Sequence, residues 1–129
     1  MLKSKLKICG IKEITTLDCC ILNNIDFFGL IFYKKSPRNI EIKNALKLIK
    51  HSNNYPISAV GVFVNEPIIS INQIIKKLNL KYIQLHGNED NNYIKSIKKN
   101  NLNIIKSIAI NSQEDLLEIK KYPNADILL

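Results

Sequence analysis

The chain has 129 residues, 46% apolar and 23% charged, with a mean hydropathy of −0.05 and a net charge of +8. That supports one domain with a hydrophobic core and excludes both a disordered chain and two ordinary domains. No stretch reaches the roughly 20 apolar residues of a membrane span. The apolar run at 8–11 is shorter than a signal-peptide core of roughly 7–15 residues, so a cytoplasmic address is expected.

Short Ile-, Val- and Phe-rich segments predict strands at 6–11, 27–32, 58–64, 82–85, 103–108 and 126–129. Segments with apolar residues at helical spacing lie between them. The first, 16–23, places Leu17, Cys20 and Ile21 on one stripe, with Thr15 or Thr16 as cap. The second, 41–51, carries Ile42, Ala45, Leu46 and Ile49. The third, 70–80, repeats the pattern with Ile71, Ile74, Ile75 and Leu78. The fourth, 90–100, carries Tyr93, Ile94 and Ile97. The fifth, 112–121, opens with Glu114 and Asp115 and closes with Lys120 and Lys121, charges that suit a helix dipole.

Strand and helix alternate throughout, which predicts a parallel sheet covered by helices with right-handed connections. Strand starts recur about every 24 residues. Eight such units need about 190–200 residues, the lower end for an eight-stranded barrel. The sequence stops within its sixth strand. Either the architecture is a smaller open sheet, or these residues are the first part of a barrel.

The positive charge carries little functional information. Lys accounts for 18 of the 19 basic residues, and Ile (24) and Asn (17) are also in excess, as coding from an AT-rich genome would give. Lys is spread along the whole chain and Trp is absent, so no nucleic-acid surface is expected. Three cysteines, Cys9, Cys19 and Cys20, form no disulfide framework. With His51 and His86 isolated and no C-x-x-C spacing, no zinc site is expected. Cys19 and Cys20 read as core filling.

In parallel α/β proteins, ligands bind at the carboxyl ends of the strands. Cys9 closes the first strand and is followed by Gly10, which lets backbone approach a ligand. A rim cysteine can serve as nucleophile or base when nearby positive charge favours its thiolate; alternatively it is a small buried hydrophobe. Arg38 follows the second strand and is the only Arg in the chain. Its planar fork suits a carboxylate or phosphate; alternatively it is a solvated loop charge. Asn65 ends the third strand, as a rim group or a turn former. Gln84 and His86 share a face if the fourth strand persists to Gly87, and His86 is then a site group or a satisfied structural histidine. Lys7 shares the parity of Cys9 and should point inward. Lys106 and Asp126 are expected to share that interior, Asp126 neutralising Lys7 or Lys106.

Four strings then converge: Lys7-Ile8-Cys9-Gly10-Ile11; Gly29-Leu30-Ile31-Phe32-Tyr33 with Ser36-Pro37-Arg38; Val60-Gly61-Val62-Phe63-Val64-Asn65; and Gln84-Leu85-His86-Gly87-Asn88-Glu89. In order and spacing they closely resemble phosphoribosylanthranilate isomerase of tryptophan biosynthesis, an eight-stranded (β/α) TIM barrel. The resemblance covers essentially all 129 residues, and Ile104-Ile105-Lys106 and Ala125-Asp126-Ile127-Leu128-Leu129 fit the fifth and sixth strands.

The resemblance implies an incomplete barrel, residues 1–129 forming a single domain with about five β-α units and the sixth strand. It implies an Amadori rearrangement of N-(5-phosphoribosyl)anthranilate, with Cys9 as general base. Arg38 would contact the anthranilate carboxylate, and Gln84, His86 and Asn65 would bind substrate. The partner would be the small-molecule substrate, and no cofactor, metal, nucleic acid or membrane is expected. The family's general acid is an aspartate directly after the position of Leu129, so these residues alone are expected to lack turnover. Open strand edges would favour association. The competing expectations are a truncated or degenerate non-enzymatic product and another phosphosugar-binding α/β barrel.

Overall fold

The computed structural model describes residues 4–129. Six strands alternate with helices: β1 (Lys7–Cys9), α1 (Ile14–Leu22), β2 (Phe27–Ile31), α2 (Ile42–Ser52), β3 (Ser58–Phe63), α3 (Ile68–Leu78), β4 (Tyr82–Leu85), α4 (Asn91–Ile97), β5 (Asn103–Lys106) and β6 (Ile127–Leu128). All pair in parallel, in the order β1-β2-β3-β4-β5-β6. The order never reverses, so no switch point of a doubly wound sheet occurs among the described residues. The six strands form the arc of a half-barrel, with the helices on its convex side.

Register assigns each side chain to a face. Cys9 pairs with Gly29, Gly29 with Val60, and Val60 with Tyr82, all on the concave side. Phe27, Val60, Ile105 and Tyr82 form a small interior cluster, with Phe27 and Tyr82 edge-to-face at 5.0 Å. The larger core lies between sheet and helices, and includes Phe28, Leu30, Phe63, Ile83 and Ile104 from the strands. From the helices, Leu17 and Cys20 of α1, Ala45 and Leu48 of α2, Ile71 and Leu78 of α3, and Ile94 and Ile97 of α4 pack against them.

Helix boundaries differ from expectation where capping chemistry differs. Helix α1 begins at Ile14 behind Glu13 without a side-chain cap, so neither Thr15 nor Thr16 caps it. Helix α3 begins directly after Pro67, whose fixed φ suits a helix start. Asp90 caps α4 by accepting the Tyr93 N–H at 2.8 Å. The fifth helical segment is a 3-10 helix, Glu114–Lys121. Asp115 does not face a helix dipole; its carboxylate accepts the Asn111 and Ser112 N–H groups at 2.7 and 2.8 Å. Those backbone donors hold its carboxyl below the usual carboxylate range. Cys20 is buried as core filling, but Cys19 is exposed. The α1 stripe turns Cys19 outward because it lies one residue off the Leu17–Cys20 face.

The expected interior polar layer does not form. Lys106 pairs in register with Leu85, and both face the helices. Asp126 neutralises neither Lys7 nor Lys106; it pairs with Lys98 after α4 and accepts the Ile104 N–H at 2.7 Å. Burial pushes the Asp126 carboxyl up, but Lys98 and the Ile104 N–H outweigh it, and the net direction is down. Among the described residues β1 and β6 each pair on one side only, and Ile8 is 44% and Leu129 61% exposed. Among the described residues, no helix is long and apolar enough to cross a membrane.

Candidate active site

Cys9 ends β1 on the concave face. Its sulfur has room because its neighbour in register is Gly29. A Cβ at Gly29 would lie 2.6 Å from Cys9 Sγ and 3.0 Å from Cys9 Cα. Gly29→Ala is therefore expected to displace Cys9 and to destabilise the fold by about 1–3 kcal/mol. Thiol-labelling rate and denaturation midpoint check this; an unchanged pair of values would show that the contact is relieved at no cost.

Gly10 follows with φ +85, a conformation that favours glycine. The Arg38 side chain crosses directly over it: a Cβ there would lie 2.6 Å from Arg38 Cδ. Arg38 Nη1 donates to the Cys9 carbonyl oxygen at 3.0 Å. Ser36 Oγ accepts the Arg38 N–H at 3.2 Å and shapes the turn that delivers the guanidinium. One donor of the fork thus anchors Arg38 above β1, and the others remain for a ligand.

Gln84 lies inside the arc, 3% exposed, while His86 is exposed at the rim. Gln84 Nε2 donates to Ser107 Oγ at 2.8 Å and lies 3.1 Å from His86 Nδ1. Among the described residues its carbonyl oxygen has no partner. Cys9, Arg38, Gln84 and His86, together with Lys7, line one cavity of about 540 Å³ whose remaining walls include Ile31, Val62 and Val64. The size suits a small organic molecule. The lining combines apolar side chains with the cations of Lys7 and Arg38, which suits a small organic anion.

Asn65 does not line this cavity. It sits at φ +50 after β3, where its side chain accepts the Asn88 N–H at 2.7 Å. That is the turn-forming alternative, and it joins the β3 and β4 loops.

A second polar cluster was missed from sequence. Glu89, 4% exposed, accepts the Asn65 N–H at 2.7 Å and the Gly87 N–H at 2.8 Å. Lys106, 1% exposed, donates to the Gly87 carbonyl oxygen at 2.7 Å and lies 3.5 Å from Glu89. Tyr93 nearby donates to the Glu66 carbonyl oxygen at 2.6 Å; burial, then the charges of Glu89 and Glu66, push its hydroxyl up to about 12. A lysine within 104–108 does signal a buried partner, which the sequence reading assigns to Asp126 and the structure to Glu89.

Fold and site together define a protein of the parallel β/α-barrel class with a cavity at the carboxyl ends of its strands. Residues 6–129 match the family model of N-(5'-phosphoribosyl)anthranilate (PRA) isomerase. The chain belongs to that family. It is 30% identical over 128 residues to the N-(5'-phosphoribosyl)anthranilate isomerase of Rubrobacter xylanophilus, covering 98% of this chain and 61% of the relative. It is 38% identical over 118 residues to that of Thermoanaerobacter sp., covering 92% and 56%. The phosphoribosyl anthranilate isomerase structure from Thermotoga maritima superposes with a TM-score of 0.89 at 28% identity, over 98% of this chain and 61% of that one. A structure of the isomerase in complex with reduced 1-(o-carboxyphenylamino)-1-deoxyribulose 5-phosphate superposes with the same score and identity, over 98% and 64%. The chain thus spans about three-fifths of the curated relatives it matches.

Proposed function

We propose that the whole protein carries out the isomerase reaction of its family, converting N-(5-phosphoribosyl)anthranilate to 1-(2-carboxyphenylamino)-1-deoxyribulose 5-phosphate in the cytoplasm. The observation that carries this reading is the convergence of Cys9, Arg38, Gln84 and His86 on one cavity in a chain of this family.

The reaction is an isomerisation: bonds rearrange and protons shift, and no atom or electron is gained or lost overall. A general acid protonates the ribose ring oxygen, the bond from that oxygen to the anomeric carbon breaks, and the nitrogen lone pair forms an iminium. The iminium acidifies the C–H of the adjacent carbon, and the Cys9 thiolate removes that proton. The enolamine then tautomerises to the open-chain ketone. No electron leaves the substrate, so the reading requires no redox cofactor. Family resemblance assigns the acid to an aspartate directly after the position of Leu129. Arg38, already anchored on the Cys9 carbonyl oxygen, clamps the anthranilate carboxylate. The apolar strips of β2 and β3 face the aromatic ring. Association through the exposed edges at Ile8 and Leu129 is part of this reading for any form in which they stay uncovered.

The direct test is turnover of freshly made phosphoribosylanthranilate by the whole protein, followed as chromatographic appearance of the open-chain ketone. A rate equal to the uncatalysed one would refute the reading. Arg38→Lys is expected to raise KM about tenfold, the cost of about 1.4 kcal/mol, with kcat within about threefold. A substrate analogue without the carboxylate should be insensitive to the change; equal sensitivity would remove Arg38 from carboxylate binding.

A further inference from the structure

The three side chains Ser107, Gln84 and His86 form a hydrogen-bonded row across the ends of β4 and β5. Both contacts converge on a single atom, Gln84 Nε2, at 2.8 Å from Ser107 Oγ and 3.1 Å from His86 Nδ1. A primary amide nitrogen carries two hydrogens, and this arrangement uses one for each neighbour. His86 Nδ1 must then be the unprotonated ring nitrogen, and the ring proton sits on Nε2.

The opposite orientation of the amide would place its carbonyl oxygen between Ser107 and His86 and its NH₂ where the unpartnered oxygen now lies. The cavity decides between them. Its other polar lining groups include the Lys7 ammonium and the Arg38 guanidinium, which only donate. An acceptor on Gln84 complements that lining, whereas an NH₂ would add one more buried donor without a partner. Gln84 is 3% exposed, so the choice carries the full desolvation cost of the group left unpaired.

We infer that Ser107 and Gln84 are positioning residues that lock His86 in its Nε2–H tautomer, making it a fixed hydrogen-bond donor to an acceptor oxygen of the bound ligand. The same lock leaves the Gln84 carbonyl oxygen free for a ligand hydroxyl. This rests on the reading of the cavity as the substrate site, but the tautomer exists without substrate. A failed isomerase assay and a failed tautomer assignment are therefore separate results.

The chain contains only two histidines, so long-range ¹H–¹⁵N NMR of the labelled full chain above the titration range of histidine resolves both rings, with His86→Gln for assignment. His86 Nδ1 should resonate as an unprotonated nitrogen and Nε2 as a protonated one. Gln84→Glu places an acceptor against Nδ1, and the Nδ1 signal should shift to the protonated range. His51 lies on α2, bound to Asp18 at 2.6 Å, and its signals report that the fold is intact. Gln84→Met is the second variant should Gln84→Glu fail to fold; it keeps the volume, and Nδ1 should relax to the value of a water-exposed imidazole. A wild-type ring protonated on Nδ1 would overturn the inference. So would an Nδ1 signal that ignores the substitutions while His51 stays native.

Discussion

Cys9→Ser in the whole protein is expected to lower kcat by about 10²–10⁴-fold, the usual contribution of a positioned general base, with KM changed little. The hydroxyl occupies nearly the same volume, and the space opened by Gly29 accepts it without strain. What disappears is the base: a serine hydroxyl does not ionise near neutrality, whereas a thiol does so far more readily. The carboxylate contact at Arg38 survives, because Arg38 is anchored on the Cys9 main chain and not on its sulfur. The other two cysteines are the controls. Cys19→Ala alters an exposed side chain and should change neither rate nor stability. Cys20→Ala should cost stability alone: its thiol is packed in the helix-facing core, where burial first and the neighbouring Cys19 second push it up. Steady-state kinetics check the series. Turnover of Cys9→Ser within about threefold of wild type would remove Cys9 from proton abstraction.

Glu89→Gln is expected to destabilise the chain by about 3–5 kcal/mol, the cost of leaving a buried charge uncompensated. Domains of this size have total stabilities of roughly 5–15 kcal/mol, so the loss would be a large share of the whole. Three features produce it. Lys106 loses its counter-charge in a site where it is 1% exposed. The amide can accept only through one oxygen, while the carboxylate uses both, one for the Asn65 N–H and one for the Gly87 N–H. Those two N–H groups belong to the loops after β3 and β4, so the rim beside His86 loosens as well. Adding Lys106→Met to Glu89→Gln should recover part of the loss, because the orphaned ammonium is then gone. Glu118→Gln, in the exposed pair with Lys121, should leave the denaturation midpoint unchanged. Urea unfolding of the four proteins measures this. Equal midpoints for Glu89→Gln and wild type would show that the carboxylate bears no such burden.

The sequence alone determined the alternation of strand and helix, and the positions of Cys9, Arg38, Gln84 and His86 at the rim. Both follow from local rules. Apolar periodicity distinguishes a strand from a helix, and in a parallel sheet the carboxyl end of each strand is known once the strand is known. The pairing of Gln84 with His86 was legible for the same reason, since residues two apart share a face. Which face points inward was not legible for β5. Strands buried on both sides read as continuous apolar runs, so the run 104–108 gave Lys106 no side. Register with β4 decided it: Gln84 opposes Ile105, and Leu85 opposes Lys106, which turns Lys106 to the helices. Tertiary contact likewise made Glu89 its partner across 17 residues, gave Asp126 to Lys98, and drew Asn65 out of the cavity into the β3–β4 loop contact. These are choices between partners far apart in the chain. Hydrophobic pattern is blind to them, because a buried charge or amide is satisfied by whichever group the packed backbone brings within hydrogen-bond reach.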